Sequence, residues 1–460
     1  MSIDNGYLPN DNPSPDKLAL FGIQHVLTMF PATVFVAALT GFHVGTVLLM
    51  SGVSTIVALI LSKRGIGKFI PLFYGSSFSY IAAYLAIVTQ ATGELPAFGQ
   101  PVADEVLSVM QAGIVVTGIL NIIVGFVIRS VGKEAIDKIL PPVITGSVAA
   151  IIGFGLAFAA LDMASVNFLV AIVTLIMTIL FSVYLQGRGF IGMLPILLGA
   201  VFGYVFSAIF DPGSVSMAAV GSAPLFALPN ITLPSFSGPL VGTAIFSIAI
   251  MAIATIPEST AHLYQISLYV DRLAEDTGRE KYHLDKHIGF NLVLDGIGDF
   301  INGLFGATAG TNYGENNSLM AITRNDSGPA LMAAGVVSIL LAFIGKLSAF
   351  VGTVPLAVSG GLAIYLFGVV GMQGIALMQE HNVSMFDPKN LAIGATIMVV
   401  GIGGNIGFEG GFLPISIPGI FPNGLPAIAT AAVLGIVLNI VFLVFAPPEP
   451  VNTGQTAAAD

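Results

Sequence analysis

Thr311-Asn312-Tyr313-Gly314-Glu315-Asn316 interrupts hydrophobic sequence with a glycine and, directly after it, a carboxylate. A second acid, Glu258, closes a stretch of 19 residues (239–257) that contains no Asp, Glu, Lys or Arg. Each acid costs ~2.5–3.5 kcal/mol at membrane depth on insertion scales. A helix bundle in lipid needs neither of them. Acids kept at that cost point to a ligand, and the break at Gly314 points to a helix that begins part-way across a membrane.

Composition supports the setting. The 460 residues are 55% hydrophobic and only 9% charged, whereas a soluble chain carries roughly 25% charged residues. A span needs ~20 mostly apolar residues, which leaves room for twelve to fourteen. Fifty-four glycines and 26 prolines suit close helix packing and interrupted helices. There is no cysteine, so disulfides, thiolate metal sites and cysteine nucleophiles are excluded. No basic patch of the kind a nucleic-acid binder shows is present. Met1–Asp16 has no Lys or Arg, unlike a cleaved signal, so the first span is expected to act as its own insertion signal.

Apolar runs define fourteen expected spans: 18–40, 43–62, 70–92, 105–128, 139–161, 165–186, 189–210, 240–268, 287–307, 309–323, 329–352, 353–377, 389–408 and 425–447. Basic residues test the count. With an inside N-terminus, the even-numbered loops hold Lys63, Arg64 and Lys68; Arg129, Lys133 and Lys138; Arg188; Arg272, Arg279, Lys281 and Lys286; Arg324; and Lys389. Lys17 lies in the N-terminal segment, and only Lys346 of the 15 Lys and Arg falls on the other side. One misplaced span would scatter the later charges, so the positive-inside rule favours this count with both termini cytoplasmic.

Spans three and ten are the interrupted ones, at Tyr74-Gly75-Ser76-Ser77 and at Gly310–Glu315. They hold equivalent places in two seven-span halves. Because seven is odd, the second half enters from the opposite side, and the repeat is inverted. Interrupted spans so paired point to a transporter's midplane site; two bent helices without a site are the plainer reading. The expected fold is an all-α polytopic membrane protein in a 7+7 inverted repeat, with flexible tails at 1–16 and 448–460.

A half-helix starting at Gly314 would present unpaired N–H groups and a positive dipole end, with Glu315 as an acceptor beside them. The Gly75-Ser76-Ser77-Phe78 break offers a matching terminus. Phe78 and Tyr313 add aromatic faces, which suits a small, flat ligand with alternating N–H and C=O groups. Alternatively, Glu315 only caps its own helix. Glu258 and His262, four apart on one face, could exchange a proton when a ligand arrives, or bond to each other and tie helices together. They lack two further metal ligands. Gln24-His25 in span one reads equally as packing or function. Asp295 and Asp299 share a face of span nine and read as packing or coupling residues rather than substrate contacts. His283 and His287 read as solvated. No G-x-x-x-x-G-K-[ST], H-E-x-x-H or G-x-S-x-G motif occurs, leaving an ATP motor or hydrolase without support. Gly401–Gly407 lacks the strand–helix setting of a nucleotide loop.

These residues resemble the nucleobase–ascorbate transporter family, and its bacterial uracil permeases most. The resemblance runs through nearly the whole chain and is carried by Gln24-His25, Phe30-Pro31-Ala32-Thr33, Tyr74–Phe78, Pro257–His262 and Thr311–Arg324. Within Glu315–Arg324, Ser318 stands where the family usually has glycine. The resemblance implies fourteen spans with short strands in spans three and ten. It also implies a core domain (17–128 and 239–352) and a gate domain (139–210 and 353–447). By position, Glu258 and Glu315 would accept from nucleobase ring N–H groups, while amides of Phe78 and Gly314 would donate to its carbonyls. Ala32, Phe78 and Tyr313 would line the ring. His262 would belong to a proton-coupling network with Ser77 and His25 nearby. A gate tyrosine found in relatives aligns with Phe367.

The expectation is a cytoplasmic-membrane uracil:proton symporter working by alternating access, without cofactor or metal; dimerisation through the gate domain is what the family resemblance implies. Another nucleobase (xanthine, urate or another pyrimidine) is the alternative substrate. An anion transporter or channel on a similar scaffold is the alternative from a different class.

Overall fold

The computed structural model describes residues 6–418 and 420–445. In chain order its helices and strands are α1 Pro15–Thr40, α2 Val44–Ile66, β1 Tyr74–Ser76, α3 Ile81–Thr92, α4 Asp104–Val131, α5 Lys133–Ile139, α6 Pro142–Gly155 and α7 Ala157–Ser165. There follow α8 Phe168–Tyr184, α9 Pro195–Phe210, α10 Ala218–Ser222, α11 Val241–Ala249, α12 Ala252–Asp276, α13 Ile288–Phe305, β2 Gly310–Asn312 and α14 Gly314–Thr323. The chain continues through α15 Gly328–Ala342, α16 Gly345–Val351, α17 Leu356–Glu380, α18 Pro388–Met398, α19 Gly404–Gly407, β3 Phe412–Leu413, β4 Leu425–Pro426 and α20 Ala427–Val444.

Among the described residues, nine helices are long and apolar enough to cross a membrane, or ten if the sharply bent 195–222 pair counts as one span. Phe78–Thr92, Phe168–Tyr184 and Gly328–Ala342 are apolar but shorter. The protein is thus a helical, multi-pass membrane protein. The expected segment 139–161 divides at Leu156 and 329–352 divides at Phe343–Ile344; uniform apolar composition gave no sign of either break.

Helices approach to backbone contact through facing glycines. A methyl on Gly125 of α4 would stand 2.6 Å from the Gly289 carbonyl of α13, and the reverse distance is also 2.6 Å. Gly52 of α2 meets Gly335 of α15 in the same way (2.4 Å), as Gly374 of α17 meets Gly146 of α6 (2.4 Å). In lipid such close packing replaces the hydrophobic drive that holds soluble helices together.

The connecting loops sort to two ends. At one end Lys68 donates to the Tyr282 carbonyl (2.9 Å), Arg279 pairs with Asp11 (2.6 Å) and Arg324 with Asp276 (3.2 Å). At the other, Asn230 donates to Asp104 (3.1 Å) and lies 2.7 Å from His43, while the Ala227 amide donates to the Phe343 carbonyl (2.9 Å). The segment 7–11, expected within a flexible tail, is instead tied down. Tyr7 exchanges backbone hydrogen bonds with Arg324 and Asp326, Gly328 donates to Pro9, and Ser327 donates to Asp11. The other expected tail, 448–460, lies outside the described residues.

Candidate functional site

Two short strands, from the two interrupted segments, meet at the centre of the site. β1 and β2 pair antiparallel, with Tyr74 opposite Asn312, Gly75 opposite Thr311 and Ser76 opposite Gly310. Each strand feeds a helix start: Phe78–Tyr80 leads as a 3-10 turn into α3, and α14 begins at Gly314. Two helix N-termini therefore leave one small ribbon, each with amides that no helical carbonyl can reach.

Buried polar groups hold this junction. Asp299 accepts from the Tyr74 hydroxyl (2.5 Å), the Gly310 amide (2.8 Å) and the Asn121 amide (3.0 Å). Asp295 accepts from Asn312 (2.9 Å) and from Ser259, and Asn291 donates to that serine (2.8 Å). The Tyr84 hydroxyl accepts from the Ala309 amide (2.7 Å). The Tyr313 hydroxyl donates to the Ser76 carbonyl (2.8 Å) and shares a proton with Thr33 (2.9 Å). A side chain on Gly75 would enter the Tyr313 ring at 2.6 Å, so the glycine break is also what lets that ring lie flat on the ribbon.

The structure separates the four intramembrane acids into two kinds. Asp295 and Asp299 are buried and saturated with donors. Glu258, by contrast, receives no hydrogen bond among the described residues and is half-exposed. Glu315 reaches only its own backbone N–H, and its side chain is exposed although its neighbours Tyr313, Asn316 and Asn317 are buried. The two glutamates lie close enough for their charges to act on each other.

His262 joins them. Its Nε2 sits where a Gly314 side chain would begin, 2.8 Å from that Cβ position. Asn317 donates to the His262 carbonyl (3.0 Å) and to Gln265 (3.1 Å), docking α14 on α12. No hydrogen bond joins His262 to Glu258, and the His262 Nδ1 is buried without a partner. The arrangement differs from a mutually satisfied Glu–His pair.

The remaining expected residues occupy different surroundings. Phe78 is half-exposed beside the α3 start, and Ser77 is buried, its amide donating to the Ala309 carbonyl (3.1 Å) and its hydroxyl accepting from the Ser79 amide (3.2 Å). Ala32 and Tyr313 are buried in the packing beneath. His25 is buried one layer back, bonded to Asn316 (3.0 Å). Phe367 is buried within α17, while two residues earlier the Tyr365 hydroxyl meets Ser182 (2.5 Å). Sequence reasoning missed Asn312, Asn316, Asn317 and Thr33. The three asparagines share a signal, an amide within three residues of Gly314, whereas Thr33 lies in α1 away from either glycine break.

What the arrangement offers is two unpartnered carboxylates, two half-helix starts and an aromatic edge. That set can accept N–H groups and donate to carbonyls of a flat neutral ligand.

Comparison with known proteins agrees in kind. Residues 16–410 match the model of a permease family that takes in xanthine and uracil permeases. The chain is similar to the uracil permease of Bacillus subtilis, 30% identical over 97% of each chain. It is also similar to that of Escherichia coli K12, 32% identical over 93% of this chain and 92% of the other. The transmembrane domain of a cyanobacterial bicarbonate transporter shares the fold, with a TM-score of 0.54 at 16% identity, covering 94% of this chain and 98% of that one. The chain belongs to this permease family, the nucleobase–ascorbate transporters.

Proposed function

We propose that this protein imports uracil across the cytoplasmic membrane together with protons. The observation that carries the reading is the contrast among the acids around the β1–β2 ribbon: Asp295 and Asp299 accept from protein donors, whereas Glu258 and Glu315 accept from no neighbouring residue, at a paired half-helix junction. Uracil presents two ring N–H groups, one on each side of its C2 carbonyl, and these would satisfy both carboxylates while its oxygens meet the amides of Phe78 and Gly314. The relatives named as uracil permeases supply the substrate class. An anion would meet two acids and no basic side chain there, so the anion reading is not favoured.

Proton coupling is assigned to Glu258 and His262, with Ser77 and His25 behind them. A proton on Glu258 leaves its carbonyl oxygen able to accept a uracil N–H without a second negative charge beside Glu315, so uracil favours the protonated form, and by linkage each ligand favours binding of the other. The transport cycle is proposed to move a core (17–128 and 239–352) against a gate (139–210 and 353–447), with fourteen crossings and both termini cytoplasmic. The packing supports an inverted repeat. Shifting by seven spans carries the α2–α15 contact (spans two and eleven) onto the α4–α13 contact (spans nine and four). It carries the α6–α17 contact and the β1–β2 pair each onto itself. A homodimer through the gate is part of the same reading.

Uptake of labelled uracil into proteoliposomes, with and without an inward proton gradient, tests it. Accumulation driven by the gradient is expected. Uptake indifferent to the gradient contradicts the symport, and uptake of another nucleobase in preference contradicts the substrate.

A further inference from the structure

A cavity of about 330 Å³ lies between α3, the α6–α7 junction at Gly155 to Ala159, and the segment 405–411. Ala82, Ala86 and Thr89 of α3 form one wall, and Asn405 and the exposed Glu409 belong to the other. Its base, Ala82, is one helical turn beyond Phe78, and Leu95, in the loop after α3, also lines it. A recess of about 10 Å³, on the scale of one water, adjoins it and shares Ala82, Ala86, Asn405 and Gly411 with it.

Two polar groups, Ser247 in the recess and Asn405 shared by recess and cavity, make this more than a packing gap. Ser247 of α11 lines the recess, and its hydroxyl is buried without any hydrogen-bond partner. A buried, unsatisfied hydroxyl costs about 1–3 kcal/mol and calls for a ligand or water. Asn405 donates one amide hydrogen to the Gly155 carbonyl (2.8 Å), which fixes its plane. Its Oδ1 stays uncovered because residue 411 is glycine: a side chain there would start 2.6 Å from that oxygen. Gly411 also has a φ of 75°, a conformation that other residues rarely adopt.

The volume falls within the range of small-molecule pockets, and the alanine wall of α3 is smooth enough for a flat ring. We propose that this cavity is an outer subsite for the nucleobase. The Asn405 amide oxygen accepts a ring N–H, and a water in the adjoining recess, held by Ser247, bridges to the base before it moves on to the acid pair. The proposal rests on the nucleobase reading above. It adds a second binding step, with a specificity-determining residue contributed by the segment between α18 and β3.

The cysteine-free chain allows a direct test. Ala86→Cys, with Thr89→Cys as a second probe in case the first misfolds, is reconstituted and treated with a membrane-impermeant maleimide. The labelling rate is then followed against uracil concentration, both in the otherwise unaltered protein and with Glu315→Gln added to disable the inner site. The expected result is that the cysteines react and that uracil still slows the reaction in the Glu315→Gln background. Adding Asn405→Ala should weaken that protection about tenfold, the scale of one lost hydrogen bond to a buried group. Two cysteines that fail to react would overturn the proposal. So would protection that vanishes with Glu315→Gln, because it would then come from the inner site alone. If uracil neither protects nor binds the unaltered protein while another nucleobase binds, the substrate reading fails instead, and the same assay with that base decides the subsite.

Discussion

Asp295 and Asp299 sit one helical turn apart on α13, both buried, and each of their carboxylate oxygens accepts from a protein donor. Glu258 and Glu315 come from helices on either side of the same ribbon and meet almost none. All four bear the same chemical group. The difference lies in what surrounds them. A carboxylate bonded throughout by the chain ties helices and ribbon together, whereas one left open at a pair of helix starts has acceptor oxygens that the chain does not use.

The largest expected effect breaks the structural member of the comparison. Asp299→Ala leaves the Tyr74 hydroxyl, the Gly310 amide and the Asn121 amide without their acceptor, at about 1–3 kcal/mol for each unsatisfied group. The yield of folded protein and the Tm in detergent should fall sharply. A stable Asp299→Ala protein would erase the distinction between the two pairs.

Glu315→Gln is the opposite case. Stability should stay within about 0.5 kcal/mol of the parent, as for substitutions away from packed features. Uracil affinity should fall by about tenfold to a hundredfold, the worth of a charged hydrogen bond. Isothermal titration alongside a melting curve separates the two readouts.

Gly314→Ala sharpens the geometry next. The added methyl would enter the His262 ring at 2.8 Å, and overpacking of that kind costs about 1–3 kcal/mol. Uptake should drop together with its dependence on the proton gradient. Intact gradient-driven uptake would remove His262 from the coupling role.

A third buried acid lies outside the membrane-spanning segments and tests the comparison through pH. Asp326, between α14 and α15 beneath the segment 7–11, has an unpartnered Oδ1. Burial, only partly offset by Arg324, pushes its pKa from 3.8 up to about 7. The folded state therefore binds this proton more tightly than the unfolded chain does. Its contribution to stability is fullest below the unfolded pKa and is lost as pH rises through about 7. Between pH 6 and pH 8 this amounts to about 1 kcal/mol. The parent should melt higher at pH 6 than at pH 8, and Asp326→Asn should flatten that difference.

Much of this arrangement was legible in the sequence, for reasons that differ by residue. Glu258 and Glu315 stood out because a charge in an apolar run is expensive, and Tyr74–Ser77 and Gly310–Glu315 because glycine and polar residues break hydrophobic periodicity. Each expected apolar segment has a helix or strand-plus-helix in its place. The splits at Leu156 and Phe343–Ile344 were not legible, since apolar side chains fill a bent helix as readily as a straight one. Nor was the split role of the acids: the partners that saturate Asp299 come from Tyr74 and Asn121, 225 and 178 residues away in sequence. The 7–11 segment read as a tail because its charges are polar and local, while its anchors, Arg279 and Ser327, are more than 250 residues distant.

Replacing each ring N–H of uracil in turn tests the role of the open pair most directly. Binding of uracil, 1-methyluracil and 3-methyluracil to the purified protein is compared by titration. If Glu258 and Glu315 each accept one ring N–H, either methyl group should weaken binding by at least about tenfold, because a charged acceptor is left unpaired. Methylated uracils that bind as tightly as uracil itself would contradict the account.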